Sequence, residues 1–154
     1  MADVFYEHDM FTIAAARIEG LALSIEQAAS EGDEAAEGEL GIQRNAWVEV
    51  FLLHLRNLID FYVSKPNRDD VVAHHYAPGW TVELGGQSLV WLVELAPVLN
   101  KRLAHITAYR RRVDVDVDAK LVSDIRSRLV DVYRRWSELL PSERLQWFHH
   151  TAED

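Results

Sequence analysis

The sequence predicts an all-α fold: an antiparallel up-and-down bundle of four to five helices, forming a single domain over residues 1–154. Three observations lead there. Apolar residues recur at alternating spacings of three and four over four long stretches, which marks helices with one buried face. Pro66, Pro141 and the Gly- and acid-rich run "EGDEAAEGELG" (31–41) punctuate those stretches. The one run with a strand's alternation, "VDVDVD" (113–118), is short and has no second run to pair with. A chain of 154 residues is long enough to bury a core of its own.

The elements follow in order. Residues 3–30 form a first helix, with Val4, His8, Phe11, Ala15, Ile18, Ala22 and Ile25 on one face. The segment 31–41 reads as a solvated loop or a weak helical extension. Residues 42–64 make the most apolar helix. One stripe is Trp47, Phe51, His54, Leu58 and Phe61, and Val48, Leu52, Leu55, Ile59 and Tyr62 lie beside it. A helix apolar over most of its circumference belongs at the centre of a bundle. Its polar strip holds Glu49, Arg56, Asn57 and Asp60.

Residues 65–87 form a long connection in which "DDVVAHHY" supplies a turn or two of helix. Ser88 is placed to cap a third helix running to about Arg112, with a kink or restart at Pro97. "VDVDVD" is then an extended link with Asp118 near the next N-cap. Leu121, Ile125, Leu129, Val132, Trp136 and Leu139 define a fourth long helix, and "SERLQWFHH" a last short one.

Composition narrows the function. There are no cysteines, which excludes disulfides, thiolate zinc sites and cysteine nucleophiles. The start of the chain lacks the basic-then-apolar pattern of a signal peptide, and no run of about 18 apolar residues suggests a membrane span. A cytoplasmic location is the resulting expectation. The net charge is −9. Residues 1–99 hold 5 Lys/Arg against 16 Asp/Glu, whereas residues 100–154 hold 11 against 9. A general nucleic-acid binder is not expected from so acidic a chain, but residues 101–135 can form a local basic face.

Three constellations can carry chemistry. His8, His54 and His105 come from three helices, and three imidazoles meeting in a bundle can hold a divalent metal. No His-x3-His pair imposes that geometry, and the plainer reading gives each His a local hydrogen bond. The second constellation joins "HLRNLIDFY" (54–62) to "NKRLAHITAY" (100–109). Arg56 and Asp60 stand four apart and can pair within their helix. With Asn57, Asn100, Lys101 and His105 they can also form a polar knot between two helices. The third is the Arg- and aromatic-rich last third: Arg110 to Arg112, Arg126, Arg128, Arg134 and Arg135 with Tyr109, Tyr133, Trp136, Trp147 and Phe148. Such residues stack on bases, pack an interface, or fill a core. No Gly-rich phosphate loop, nucleophile elbow or His-Glu-x-x-His is present in the sequence.

"NKRLAHIT" (100–107) and "LRN" (55–57) resemble the motif segments of HEPN domains, especially the branch associated with abortive-infection proteins. The resemblance covers roughly 60 residues of the two central helices. It implies an all-α bundle, a homodimer, and either a metal-independent ribonuclease or an RNA- or nucleotide-binding domain. It needs no cofactor. In that reading His105 is the acid/base, Arg56 or Lys101 faces phosphate, and Asn57 and Asn100 complete the polar centre. The family pattern places Arg four to six residues before its His, and those places hold Val98, Leu99 and Asn100 here. The site is then built across two helices, or it is degenerate. The competing expectation is a non-enzymatic dimeric interaction module.

Overall fold

The computed structural model describes residues 2–65, 71–104 and 117–145. Within these residues six helices follow one another: α1 (Ala2–Glu31), α2 (Glu34–Val63), α3 (Ala73–Tyr76), α4 (Gly86–Ala104), α5 (Ala119–Ser137) and α6 (Ser142–Leu145). A 3-10 turn occupies Val82–Gly85, and no strand occurs among the described residues. The protein is an all-α helical bundle.

Cross-helix pairings fix the directions. Phe11 stacks on Phe51 while His8 meets Tyr62, so α1 and α2 run antiparallel. Arg126 bonds Glu19 while His8 packs on Tyr133, so α5 is antiparallel to α1. Ser88 bonds Asp131 while Arg128 lies over the ring of Trp91, so α4 is antiparallel to α5. The four long helices therefore go up, down, up and down.

The run at 31–41 resolves as a helical extension. Only Gly32 and Asp33 interrupt the helices. Gly32 takes φ +73°, where a side chain is strained, and lets the chain reverse. The Asp33 carboxylate accepts from the Ala36 N–H and caps α2. Glu34 and Glu37 sit in the first turn, where the helix dipole favours acids. The expected central role of α2 holds: every member of its two stripes is buried except Trp47, which is half-buried.

The crossover supplies one helical turn, α3, and two tryptophans fasten it to the bundle. Trp80 Nε1 donates to the Tyr62 carbonyl at 2.9 Å, and Trp136 Nε1 donates to the Ala73 carbonyl at 3.1 Å. Both rings are buried, so each large apolar face also leaves water.

Ser88 does not cap α4. The helix begins two residues earlier at Gly86 (φ +62°), and the Ser88 hydroxyl instead donates to Asp131 on α5 at 2.8 Å. A Cβ at Gly85 would collide with Leu89, so the Gly85–Gly86 pair lets the crossover turn tightly into α4. α4 also stays helical through Pro97. Pro97 and Val93 lie on the exposed side, where water can take the bond the ring cannot make. The stretch Val82–Leu99 has mean hydropathy 1.3 and by length and composition alone is long enough to cross a membrane. In the fold α4 packs against α2 and α5.

Asp118 caps α5 as expected, accepting from the Leu121 N–H at 2.7 Å. The predicted stripe is buried at Ile125, Leu129, Val132 and Trp136. Its two ends differ: Val122 takes the buried place of Leu121, and Leu139 is exposed because α5 ends at Ser137 and the chain turns to bury Leu140. α6 covers only "SERL"; the rest of "SERLQWFHH", the end of the third predicted helix beyond residue 104, and "VDVDVD" up to Asp116 lie outside the described residues.

Candidate functional site

The polar strip of α2 is divided between two partners. Arg56 Nε stands 3.7 Å from Asp60, one turn on, and both side chains are more than half exposed. An exposed pair of this kind contributes little, about 0.3–0.5 kcal/mol. Asn57 Nδ2 donates to Glu7 of α1 at 3.0 Å. The same Glu7 oxygen takes His54 Nδ1 at 2.6 Å, and Tyr6 meets the His54 ring edge-on. Apart from tyrosine and tryptophan, His54 is the one polar or charged residue that is buried among the described residues. Glu7 therefore joins α1 to α2 through two hydrogen bonds, a charge-assisted type that is among the stronger ones when shielded.

Asn100 and Lys101 lie at the far end of α4, with Lys101 exposed. The pairing of Ser88 with Asp131 and of Phe61 with Trp136 sets Arg56 at the level of the start of α4. At 1.5 Å per residue, the thirteen residues from Ser88 to Lys101 span on the order of 20 Å. Arg56 and Asn57 are thus not gathered with Asn100 and Lys101. His105 lies outside the described residues.

Another arginine does reach the far end. Arg44 of α2 donates through Nη2 to the Val117 carbonyl at 2.6 Å, and Val117, just before α5, is fully buried. Because α4 is antiparallel to α5, the last turn of α4 occupies the same level.

Of the three-histidine set, His105 lies outside the described residues, among which no three His, Asp or Glu side chains converge. His54 is committed to Glu7 and His8 to Tyr62. The aromatic–basic third also divides. Trp136 and Tyr133 belong to the inner cluster, and Trp136 meets Phe61, Tyr62 and Tyr76 edge-on. Arg134 and Arg135 bind Asp131, Arg134 also binds Glu138, and Arg126 binds Glu19. Arg128 caps Trp91, with 4.3 Å to the ring centroid. The cations of α5 are largely matched by acids, so this helix offers no plain basic stripe. Asp131 carries the clearest electrostatic mark: the Arg134 guanidinium first, then the Ser88 hydroxyl and Arg135, lower its pKa to about 2. Tyr109, Arg110, Arg111, Arg112, Trp147 and Phe148 lie outside the described residues.

A cleft of about 250 Å³ opens between the first turns of α1 and the second half of α5. Val4, Phe5, Phe11, Leu129 and Val130 line it with apolar surface; His8, Thr12 and Tyr133 add polar groups, with Asp9 and Arg126 also lining it. His8 Nε2 lies 3.1 Å from the hydroxyl of Tyr62, a residue exposed by only 1%. Burial lowers the His8 pKa to about 4 and raises that of Tyr62 well above its usual value, with Tyr133 adding to the latter. Burial also raises Tyr133. All three groups are therefore neutral at pH 7.

Neither Tyr62 nor Tyr133 stood out as a polar group in the sequence, because aromatic residues on a stripe read first as core. Glu7 and Arg44 were legible only as surface charge. Their partners are 47 and 73 residues away, and no local spacing announces such a pair. No family model, curated protein or solved structure matches the chain.

Proposed function

We propose that the chain is a HEPN-like bundle that engages RNA or a nucleotide at the end where α4 finishes, working as a homodimer in the cytoplasm. The observation supporting this is that Arg44 of α2 reaches the Val117 carbonyl, at the level of the last turn of α4, where Lys101 lies and the "NKRLAHIT" segment begins. Arg44 is the arginine of α2 that lies toward this end, whereas Arg56 pairs with Asp60 on its own helix. In the ribonuclease form His105 moves the proton of the ribose 2'-hydroxyl and the cations steady the phosphate, without a metal.

RNA cleavage by the purified protein in EDTA tests this, with His105→Ala and Lys101→Ala as comparisons. Cleavage that survives EDTA and is lost in His105→Ala supports the enzyme. Lys101→Ala, at an exposed position, is expected to weaken RNA binding and lower its salt dependence by about one phosphate contact. Wild-type protein that neither binds nor cleaves RNA would sink the reading.

A second reading, the non-enzymatic interaction module, is favoured by the Glu7–His54–Asn57 join. That join accounts for two polar residues of α2 as devices that fix helix register, with no ligand required.

A further inference from the structure

A cleft with an apolar wall, and one hydrogen-bond donor left over at its base, has the makings of a small-molecule site. The α1–α5 cleft is such a place, and it is separate from the end of the bundle discussed above.

The tautomer of His8 follows from its partner. Tyr62 is buried, and the partner of its hydroxyl among the described residues is His8 Nε2. A buried hydroxyl that donates to nothing is costly, so the Tyr62 O–H donates and Nε2 accepts. The proton of the neutral imidazole must then sit on Nδ1. Among the described residues Nδ1 has no partner, yet no buried side-chain polar atom there lacks one. Nδ1 is therefore open to solvent, and the solvent beside His8 is that of the cleft it lines.

Charge narrows the ligand further. Arg126 is matched by Glu19 at 3.2 Å, which leaves Asp9 to repel an anion. Asp9 would attract a cation at the rim, but the His8 N–H donor would oppose one beside the imidazole. The volume is just below the ~300–1,000 Å³ usual for drug-sized ligands, and suits a molecule with one or two rings.

We propose that the cleft between α1 and α5 binds a small neutral ring compound bearing a carbonyl, with the His8 Nδ1–H donating to that oxygen and Phe5, Phe11 and Leu129 holding the ring. Thr12 and Tyr133 offer further hydroxyls to its edge. Tyr62 is a positioning residue that fixes the tautomer and does not touch the ligand.

Three bicyclic probes test this by NMR titration of the full chain, read at the His8 ring and at the Val130 methyls. Coumarin has the ring and the carbonyl, naphthalene lacks the acceptor, and coumarin-3-carboxylate adds a negative charge. Coumarin is expected to bind saturably and several-fold, up to about tenfold, more tightly than naphthalene, which is the range of one hydrogen bond. The carboxylate is expected to bind more weakly than coumarin. His8→Phe should bring coumarin down to the naphthalene affinity, and Tyr62→Phe should redistribute the imidazole proton between the two nitrogens in the ¹⁵N spectrum. Val130→Trp, at a position 61% exposed, narrows the mouth without disturbing the core and should weaken all three probes. Equal affinity for coumarin and naphthalene, tighter binding of the anion, or no saturable shift with any probe would each overturn the proposal. None of these outcomes depends on RNA binding.

Discussion

The two ends of the α1–α2 hairpin are built differently. From Val48 to Tyr62, α2 buries nine side chains, and α1 opposite contributes Val4, Phe11, Ala14, Ala15 and Ile18. From Glu19 to Trp47 the same two helices bury Ala28 alone, while Leu23 and Ile42 are 69% and 73% exposed. Yet both stretches are helical, the outer one broken only at Gly32 and Asp33. The comparison shows that helical periodicity and burial are separate properties. Local features carry the outer stretch: the Asp33 cap, the Gly32 reversal, and hydrogen bonds such as Gln27 to Glu31. The inner stretch is carried by packing against α4, α5 and the crossover. In general an amphipathic face docked in a core contributes more than propensity does.

The sharpest way to break this contrast is Trp136→Ala. It removes a ring at 0% exposure and takes the indole donor from the Ala73 carbonyl, which keeps the Ala77 N–H. The expected loss is about 3–5 kcal/mol, enough to unfold a protein of ordinary stability, and urea denaturation followed by circular dichroism measures it. A loss below 1 kcal/mol would mean that the crossover is not fastened as described.

The next effect depends on pH. His8 has a folded pKa of about 4 against 6.5 unfolded. Between those values the unfolded chain binds the proton and the folded chain does not, so stability falls as pH drops from about 6.5 to about 4. The full linkage is on the order of 3 kcal/mol. His8→Phe should flatten that limb of the stability–pH curve, while the Asp131 contribution is lost only at lower pH, through about 3.8 to 2. A curve with the same slope in the variant would show that His8 is not shielded.

The smallest effect belongs to the outer stretch. Leu23→Ala and Ile42→Ala should each change stability by no more than about 0.5 kcal/mol, despite removing side chains as large as those whose loss in the core costs several. Thermal melts of the two variants beside wild type measure this. A cost above about 2 kcal/mol would mean that the hairpin end is covered in solution.

Some of this was legible in the sequence. Spacing of three and four in α1, α2 and α5 identified the helices and most of their inward faces, because side-chain direction on a helix repeats with the backbone. Asp118 announced its cap by residue type and place, and the Arg56–Asp60 pair by its spacing of four. The polar knot read across Arg56, Asn57, Asn100 and Lys101 depended on which residues of α2 and α4 share a level. Register between antiparallel helices comes from packing over the whole bundle, and no short motif contains it.

The sequence by itself determined the class of the fold, the extents of most helices and the face each turns inward, since these follow from local propensity and periodicity. Only the tertiary structure decided that Glu7 meets His54, that Arg44 reaches Val117, and that Tyr62 orients His8 at the base of a cleft. Each of these pairs joins residues distant in the chain, and their geometry exists only once the helices have settled against one another.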